Sequence, residues 1–259
     1  MDFGRKIGEL KDNVASLREQ DPETFLARIA IITEGVTEFG FVEHLLERAI
    51  KGDRLNLGVW ITDAGGNDRI LSLLEGLAGS GLRFAGFADD EGRSKTKWAR
   101  VQKELGSLLF RWPSGCLEEN IITLVPDDQL EEFVKDKEGD SGVRLRTLAD
   151  RLDIKEKDLS TIRTKTNDLK ALIIQAASGV VPDDKTTAEK PVKKALKNHG
   201  QQWFKTIEGG HELAAKVFQF GLWPKLKDQL LPFLNAIRLA VSLPEITELP
   251  QSEITELPQ

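Results

Sequence analysis

Apolar positions alternate between short runs and helical spacings, and this predicts a repeating strand-helix order over the first half of the chain. Residues 3–20 carry Ile7, Leu10, Val14 and Leu17 at three- and four-residue intervals, the stripe of an amphipathic helix. Residues 28–34, Arg-Ile-Ala-Ile-Ile-Thr-Glu, form a β-branched run suited to a buried parallel strand. A helix is expected over 37–49, with Phe39, Phe41, Val42, Leu45 and Leu46 inward. The unit then repeats as strand 57–62, turn 63–67 and helix 69–77, which carries Ile70, Leu71, Leu73 and Leu74. It repeats again as strand 82–88, turn 89–92 and helix 97–109, which carries Val101, Leu105 and Leu108. A fourth strand is expected over 121–125, before Pro126. Such an order implies an α/β fold with a mainly parallel sheet flanked by helices on both faces, binding ligands at the carboxyl ends of its strands.

Beyond residue 128 charge is dense and helical spacings continue through Leu145, Leu148, Leu152, Leu159, Leu169, Leu172 and Ile173. Residues 181–185 read as a loop, and 203–239 as further helices broken at Gly209-Gly210 and Pro224. The heptapeptide Glu-Ile-Thr-Glu-Leu-Pro-Gln occurs at 245–251 and again at 253–259; two proline-bearing copies suggest a loose tail. The expected organisation is an amino-terminal helix or linker at 1–27, an α/β core at 28–127, an added helical subdomain at 128–243 and a tail at 244–259.

Composition narrows the chemistry. The chain has 259 residues, enough for one large or two small domains, and its 40% hydrophobic content can fill a core. Its single cysteine, Cys116, can build neither an internal disulfide nor a thiolate zinc cluster, and the absence of tyrosine removes that nucleophile. Without a signal-like amino terminus or about 20 consecutive apolar residues, a cytoplasmic protein is expected, with no membrane insertion. A net charge of −6 argues against nucleic-acid binding by the whole surface, but acidic and basic residues are segregated along the chain.

The acids fall where the expected sheet would bind ligands. Glu34 closes the first strand and Glu38 lies four residues on, in the first helical turn. Asp89 and Glu91 close the third strand, pointing to one side if the chain stays extended, while Asp90 points away. Carboxylates so placed repel unless a cation sits among them, and hard divalent ions such as Mg2+ or Mn2+ take oxygen ligands while also binding phosphate. Two such ions about 4 Å apart support phosphodiester cleavage. Glu118 and Glu119 could complete a second metal site. Taken singly, Glu38 is equally well a helix-dipole partner, Asp89 to Glu91 an acidic turn, and Gly65-Gly66 a plain loop.

Ile32-Thr33-Glu34-Gly35-Val36-Thr37-Glu38 followed by Phe87-Ala88-Asp89-Asp90-Glu91 resembles the paired motifs of the TOPRIM fold, over residues 28–125. TOPRIM occurs in topoisomerases, bacterial primases, recombination proteins and nucleases of the OLD (overcoming lysogenization defect) family. Glu91 departs from the pattern, which usually has Asp there. The lack of tyrosine and of clustered cysteines disfavours the first three groups, leaving hydrolysis by water. Residues 203–214 and 223–237 resemble segments that follow TOPRIM in OLD nucleases.

The resemblance implies a DNA endonuclease that uses two Mg2+ or Mn2+ ions, with Lys205 contacting the scissile phosphate and Arg111 a lesser candidate for that duty. It also implies an accompanying ATPase segment through which oligomer contacts could form. No Gly-x-x-x-x-Gly-Lys-Ser/Thr loop occurs here, so this chain would be the nuclease half, without an ATP site. DNA-backbone contacts are expected from Arg93, Lys95, Lys97, Arg100 and Lys103, and less so from Arg144, Arg146, Arg151, Lys193, Lys194 and Lys197. His211 is expected on the surface or at a helix cap. The competing readings are a TOPRIM-like module that binds nucleic acid or a partner without cutting, and a phosphatase or receiver-like domain with Asp89 as nucleophile.

Overall fold

The computed structural model describes residues 12–78 and 80–250. The first two stripe residues, Ile7 and Leu10, and the second heptapeptide lie outside the described residues. Four parallel strands, β1 (Ile29–Thr33), β2 (Val59–Asp63), β3 (Phe84–Ala88) and β4 (Leu109–Arg111), form one sheet in the order β2-β1-β3-β4. The order turns back at β1: the chain steps from β1 to β2 on one side, then crosses to β3 on the other. The crevice beyond the carboxyl ends of β1 and β3 is therefore the switch point where α/β sheets bind ligands. Among the described residues no helix is long and apolar enough to cross a membrane.

Strand residues alternate between two apolar layers, as period-two geometry requires. Ile32, Phe84, Ala88 and Leu109 face a layer closed by α1 (Asp12–Gln20), α4 (Asn67–Leu77) and α5 (Lys95–Leu105). Between α1 and β1 lies the single turn α2 (Glu23–Leu26). Ile29, Ile31, Val59, Ile61, Ala85, Phe87 and Phe110 face the larger layer, under α3 (Val36–Ala49). Phe87 sits at its centre, stacked on Phe110 with ring centroids 4.7 Å apart and meeting Phe41, Trp112 and Phe233.

That second layer runs on into the helices beyond residue 128. They are α7 (Leu130–Val134), α8 (Gly142–Arg151), α9 (Leu159–Lys165), α10 (Leu169–Ser178), α11 (Lys190–Asn198), α12 (Ile207–Gln219) and α13 (Trp223–Ala240), and all but α11 contribute apolar residues to it. The helical part thus shares one core with the sheet. Its closest approach is α12 against α3. A Cβ on Gly40 would lie 2.0 Å from the Ile207 carbonyl oxygen, and one on Gly210 would lie 2.1 Å from that of Thr37. Gly209-Gly210 therefore does not break the helix as expected; it lies inside α12 and lets two backbones touch.

Three further expectations are corrected. Residues 121–125 are not a strand: Leu117, Ile121, Ile122 and Val125 recur at helical intervals, and Leu117–Ile122 is helix α6. The fourth strand lies earlier, at Leu109–Arg111, because α5 stops at Gly106, whose φ of 55° suits glycine. The tail over 244–250 is docked rather than loose: Leu249 is 1% exposed, Ile246 and Asn235 exchange two hydrogen bonds of 2.9 Å, and Glu248 accepts from Trp223 and Lys227.

Candidate metal centre

Pairing of β1 with β3 sets the two acid-bearing strand ends side by side. Glu34 N–H donates to the Phe87 carbonyl at 3.0 Å, and Asp89 N–H donates to Glu34 Oε2, also at 3.0 Å. Asn67, buried at the start of α4, donates to the same Oε2 at 2.8 Å and to the Asp89 carbonyl at 3.3 Å. The turn before it, Gly65-Gly66, has positive φ at both residues and ties back through Gly66 N–H to the Glu34 carbonyl at 2.7 Å. That turn is a brace for the acids, which is why it carries two glycines. Asn67 was not singled out from sequence; the available signal was a short amide-bearing side chain opening a helix directly after a strand-end glycine pair.

From the other side α6 delivers Glu118, and its first N–H, on Leu117, donates to Asp89 Oδ1 at 2.9 Å. Glu38 enters from the first turn of α3. Glu34, Glu38, Asp89 and Glu118 are all buried, and Glu118 completely so. Both Glu118 oxygens lack a hydrogen bond among the described residues. The nearest cation, Lys205 Nζ, is 3.5 Å from Oε1, and the Cys116 thiol lies against the Glu118 carboxyl.

Burial combined with mutual repulsion dominates the electrostatics. Burial, then Glu118 and Glu34, pushes the Glu38 carboxyl up to about 8. Burial, then Glu38, Glu118 and Glu34, pushes Asp89 up to about 9. Glu34 is raised by burial, against the opposing hydrogen bonds from Asn67 and the Asp89 amide. Burial opposes the charge on Lys205, yet Glu118, Glu38, Cys116 and Asp89 outweigh it and hold the ammonium above its usual range. Burial, then Glu118, raises the Cys116 thiol and favours its neutral form.

The remaining candidates divide. Glu91 is exposed at the rim, 3.7 Å from Arg93, and adds negative charge to Glu34 from outside. Asp90 points away, as expected, to Arg111 at 2.9 Å. Glu119 is not in the cluster; it is exposed and leans over Gly115, where an added Cβ would meet its Oε2 at 2.2 Å. Arg111 is mostly buried, lies over the Trp98 ring at 4.2 Å and donates to the Asp89 carbonyl at 3.4 Å, so it braces the acidic turn instead of presenting a free cation.

Of the expected backbone-binding residues, Lys97 and Arg100 pair with Glu75, while Arg93 and Lys95 stand exposed beside the acidic turn. Arg144 and Arg151 are buried: Arg144 holds Glu212, and Arg151 donates to the carbonyls of Val180 and Leu196, which removes both from any DNA-facing surface. His211 is half-buried and pairs with Glu43.

An all-carboxylate donor set with two orphaned, fully buried oxygens fits a hard divalent cation, since leaving a buried carboxylate unpartnered is costly. The fit has a limit in its geometry: among the described residues no three of these carboxylates place oxygens all within 4.8 Å of one another. No protein-family model, curated protein or solved structure matches this chain.

Proposed function

We propose that this chain is a Mg2+- or Mn2+-dependent DNA endonuclease of the TOPRIM type, similar to the nuclease part of OLD proteins and acting in the cytoplasm. One observation carries the reading: Glu118, wholly buried with no hydrogen bond to either oxygen among the described residues, stands with Glu38 and Asp89 at the switch-point crevice of a parallel sheet. Glu34, Glu38, Asp89 and Glu118 would hold the ions, with Glu91 at the rim. When bound, such ions supply Lewis acidity toward a phosphodiester oxygen and an attacking water.

The chain's own residues do the rest. Asn67 and the Asp89 amide fix one oxygen of Glu34, and Leu117 N–H fixes one oxygen of Asp89, so the second oxygens are presented in set directions. Glu38 and Asp89 hold protons near neutrality when no cation is present and release them to admit one. Lys205 keeps its charge beside the acids, where it would face a phosphate. Arg93 and Lys95 would track the backbone outside the crevice without reading base edges.

Supercoiled-plasmid nicking tests this. Relaxation is expected with Mg2+ or Mn2+, none with chelator, and none from Asp89→Asn or Glu118→Gln at native far-UV dichroism. Cleavage that survives chelation or either substitution would sink the assignment. A second reading, a TOPRIM-like module that binds nucleic acid without cutting, is favoured by the wider spacing of the acid oxygens, no three of which lie within 4.8 Å of one another among the described residues. It predicts plasmid retention in a gel with no nicking in either metal.

A further inference from the structure

Away from the acid crevice, α3 and α12 bring His44, Glu47 and His211 together, one potential ligand atom from each lying within 4.8 Å of the others. We propose that these three residues form a binding site for a borderline divalent ion of the zinc class, separate from the carboxylate crevice and independent of the nuclease reading.

Two imidazoles and one carboxylate are the donor set of zinc, cobalt or nickel, whereas Mg2+ prefers oxygen alone. The local structure builds the site. His44 and Glu47 are three residues apart, on one face of α3. The backbone contact at Gly40 and Gly210 holds α12 close enough for His211, one residue further on, to meet that face, and the two rings stand edge to face with centroids 6.0 Å apart.

Outer partners support the ligands. Glu43 Oε2 lies 2.9 Å from His211 Nε2, and Arg54 holds Glu43 in turn. A carboxylate on one imidazole nitrogen orients the ring and leaves Nδ1 to donate to an ion. Arg48 Nε–H donates to His44 Nε2 at 3.0 Å, which marks that nitrogen as a lone-pair acceptor. An ion taking the same lone pair replaces this hydrogen bond, while Arg48 keeps its bond to the Pro250 carbonyl.

The fourth coordination position has room. His44 and His211 line a cavity of about 580 Å³ with Glu208, Glu212, Lys135 and Lys216, while Glu47 reaches the same point from the solvent side, so an ion held by the three would keep an open position, the pattern of an exchangeable zinc site. An ion here would tie α3, which begins at the Glu38 turn, to α12, which starts two residues after Lys205.

Calorimetric titration of zinc chloride into the full chain, with saturating MgCl2 to occupy the acid crevice, should show one equivalent. The Co2+ form should show visible d–d bands. His44→Ala and His211→Ala should each abolish that equivalent, Glu47→Gln should weaken it, and Glu43→Gln should cost about 10–100-fold in affinity. Glu118→Gln should leave it intact, whatever that variant does to nicking. Far-UV dichroism of the metal-free variants checks folding. If a histidine variant fails to fold, exposed Glu47 decides alone. The proposal is overturned if the wild type binds no zinc, if the equivalent survives both histidine variants, or if Glu118→Gln removes it.

Discussion

Arg144 and Glu118 are both buried charged side chains in the helical cover of the same sheet, and they are handled in opposite ways. Arg144 forms a bidentate pair with Glu212 at 2.7 and 2.8 Å, donates to the Lys135 carbonyl at 2.9 Å and lies over the Trp203 and Phe204 rings. Only its Nε lacks a partner. Glu118 has no hydrogen bond among the described residues; its one nearby cation, Lys205, stands off at 3.5 Å, and the carboxyls of Glu38 and Asp89 crowd it on the other sides. A buried charge that is paired and hydrogen-bonded holds structure in place; one whose oxygens go without hydrogen bonds lowers stability unless something binds it. The contrast separates a structural ion pair from a binding site within one chain.

The sharpest way to break this contrast is to remove each charge in turn. Glu118→Leu should abolish metal-dependent nicking yet raise the metal-free stability by about 1–3 kcal/mol in urea titration, because the orphaned oxygens go with it. A fall in stability would mean that Glu118 is an ordinary core residue. Arg144→Met should do the reverse, costing about 3 kcal/mol by removing the bidentate partner of Glu212 and leaving it only Lys216 at 3.4 Å, with nicking retained wherever the protein stays folded.

The acids also set a pH dependence. Glu38 and Asp89 are raised, so between their ordinary range and about 8 to 9 the folded state holds more protons than the unfolded one. Their contribution to stability is therefore complete at low pH and lost as pH rises through 8 to 9. His44, pushed down to about 4 by burial, then Arg48 and His211, acts in the opposite sense below its ordinary value of 6.5, so pH 7–9 avoids it. His211, raised by its hydrogen bond to Glu43, adds a decline of the same sign there, and the Asp89→Asn difference isolates the acids. Melting temperature with chelator should fall across that range, less steeply in Asp89→Asn, and Mg2+ should flatten the decline. A flat chelated profile would contradict the raised carboxyls. The smallest effect is expected at the rim: Lys95→Ala should weaken DNA binding uniformly across sequences and reduce the slope of log affinity against log salt by about one. An unchanged slope removes Lys95 from the interface.

Much of the fold was legible because strand and helix periods differ and three β-turn-α units repeat cleanly from Arg28 to Leu105. The fourth strand was misplaced because a short apolar run fits either period, and three residues at Leu109–Arg111 were too few to register. Of the site, Glu34, Glu38 and Asp89 could be found from their places at strand ends and a helix start. Asn67 could not be weighed, because its importance lies in hydrogen bonds to Glu34 and Asp89, distant in sequence. Glu118 and Glu119 looked equivalent until helix α6 turned one inward and the other out.

By itself the sequence determined the layers: alternating apolar periods dictate which segments pair, which face inward and that acids end up at one sheet edge. Only the tertiary structure decided which charges find partners. Whether Arg144 meets Glu212, whether Glu118 finds only Lys205 at 3.5 Å and whether His44 meets His211 depend on separations of a few ångströms between segments far apart in the chain, and periodicity carries no record of those distances.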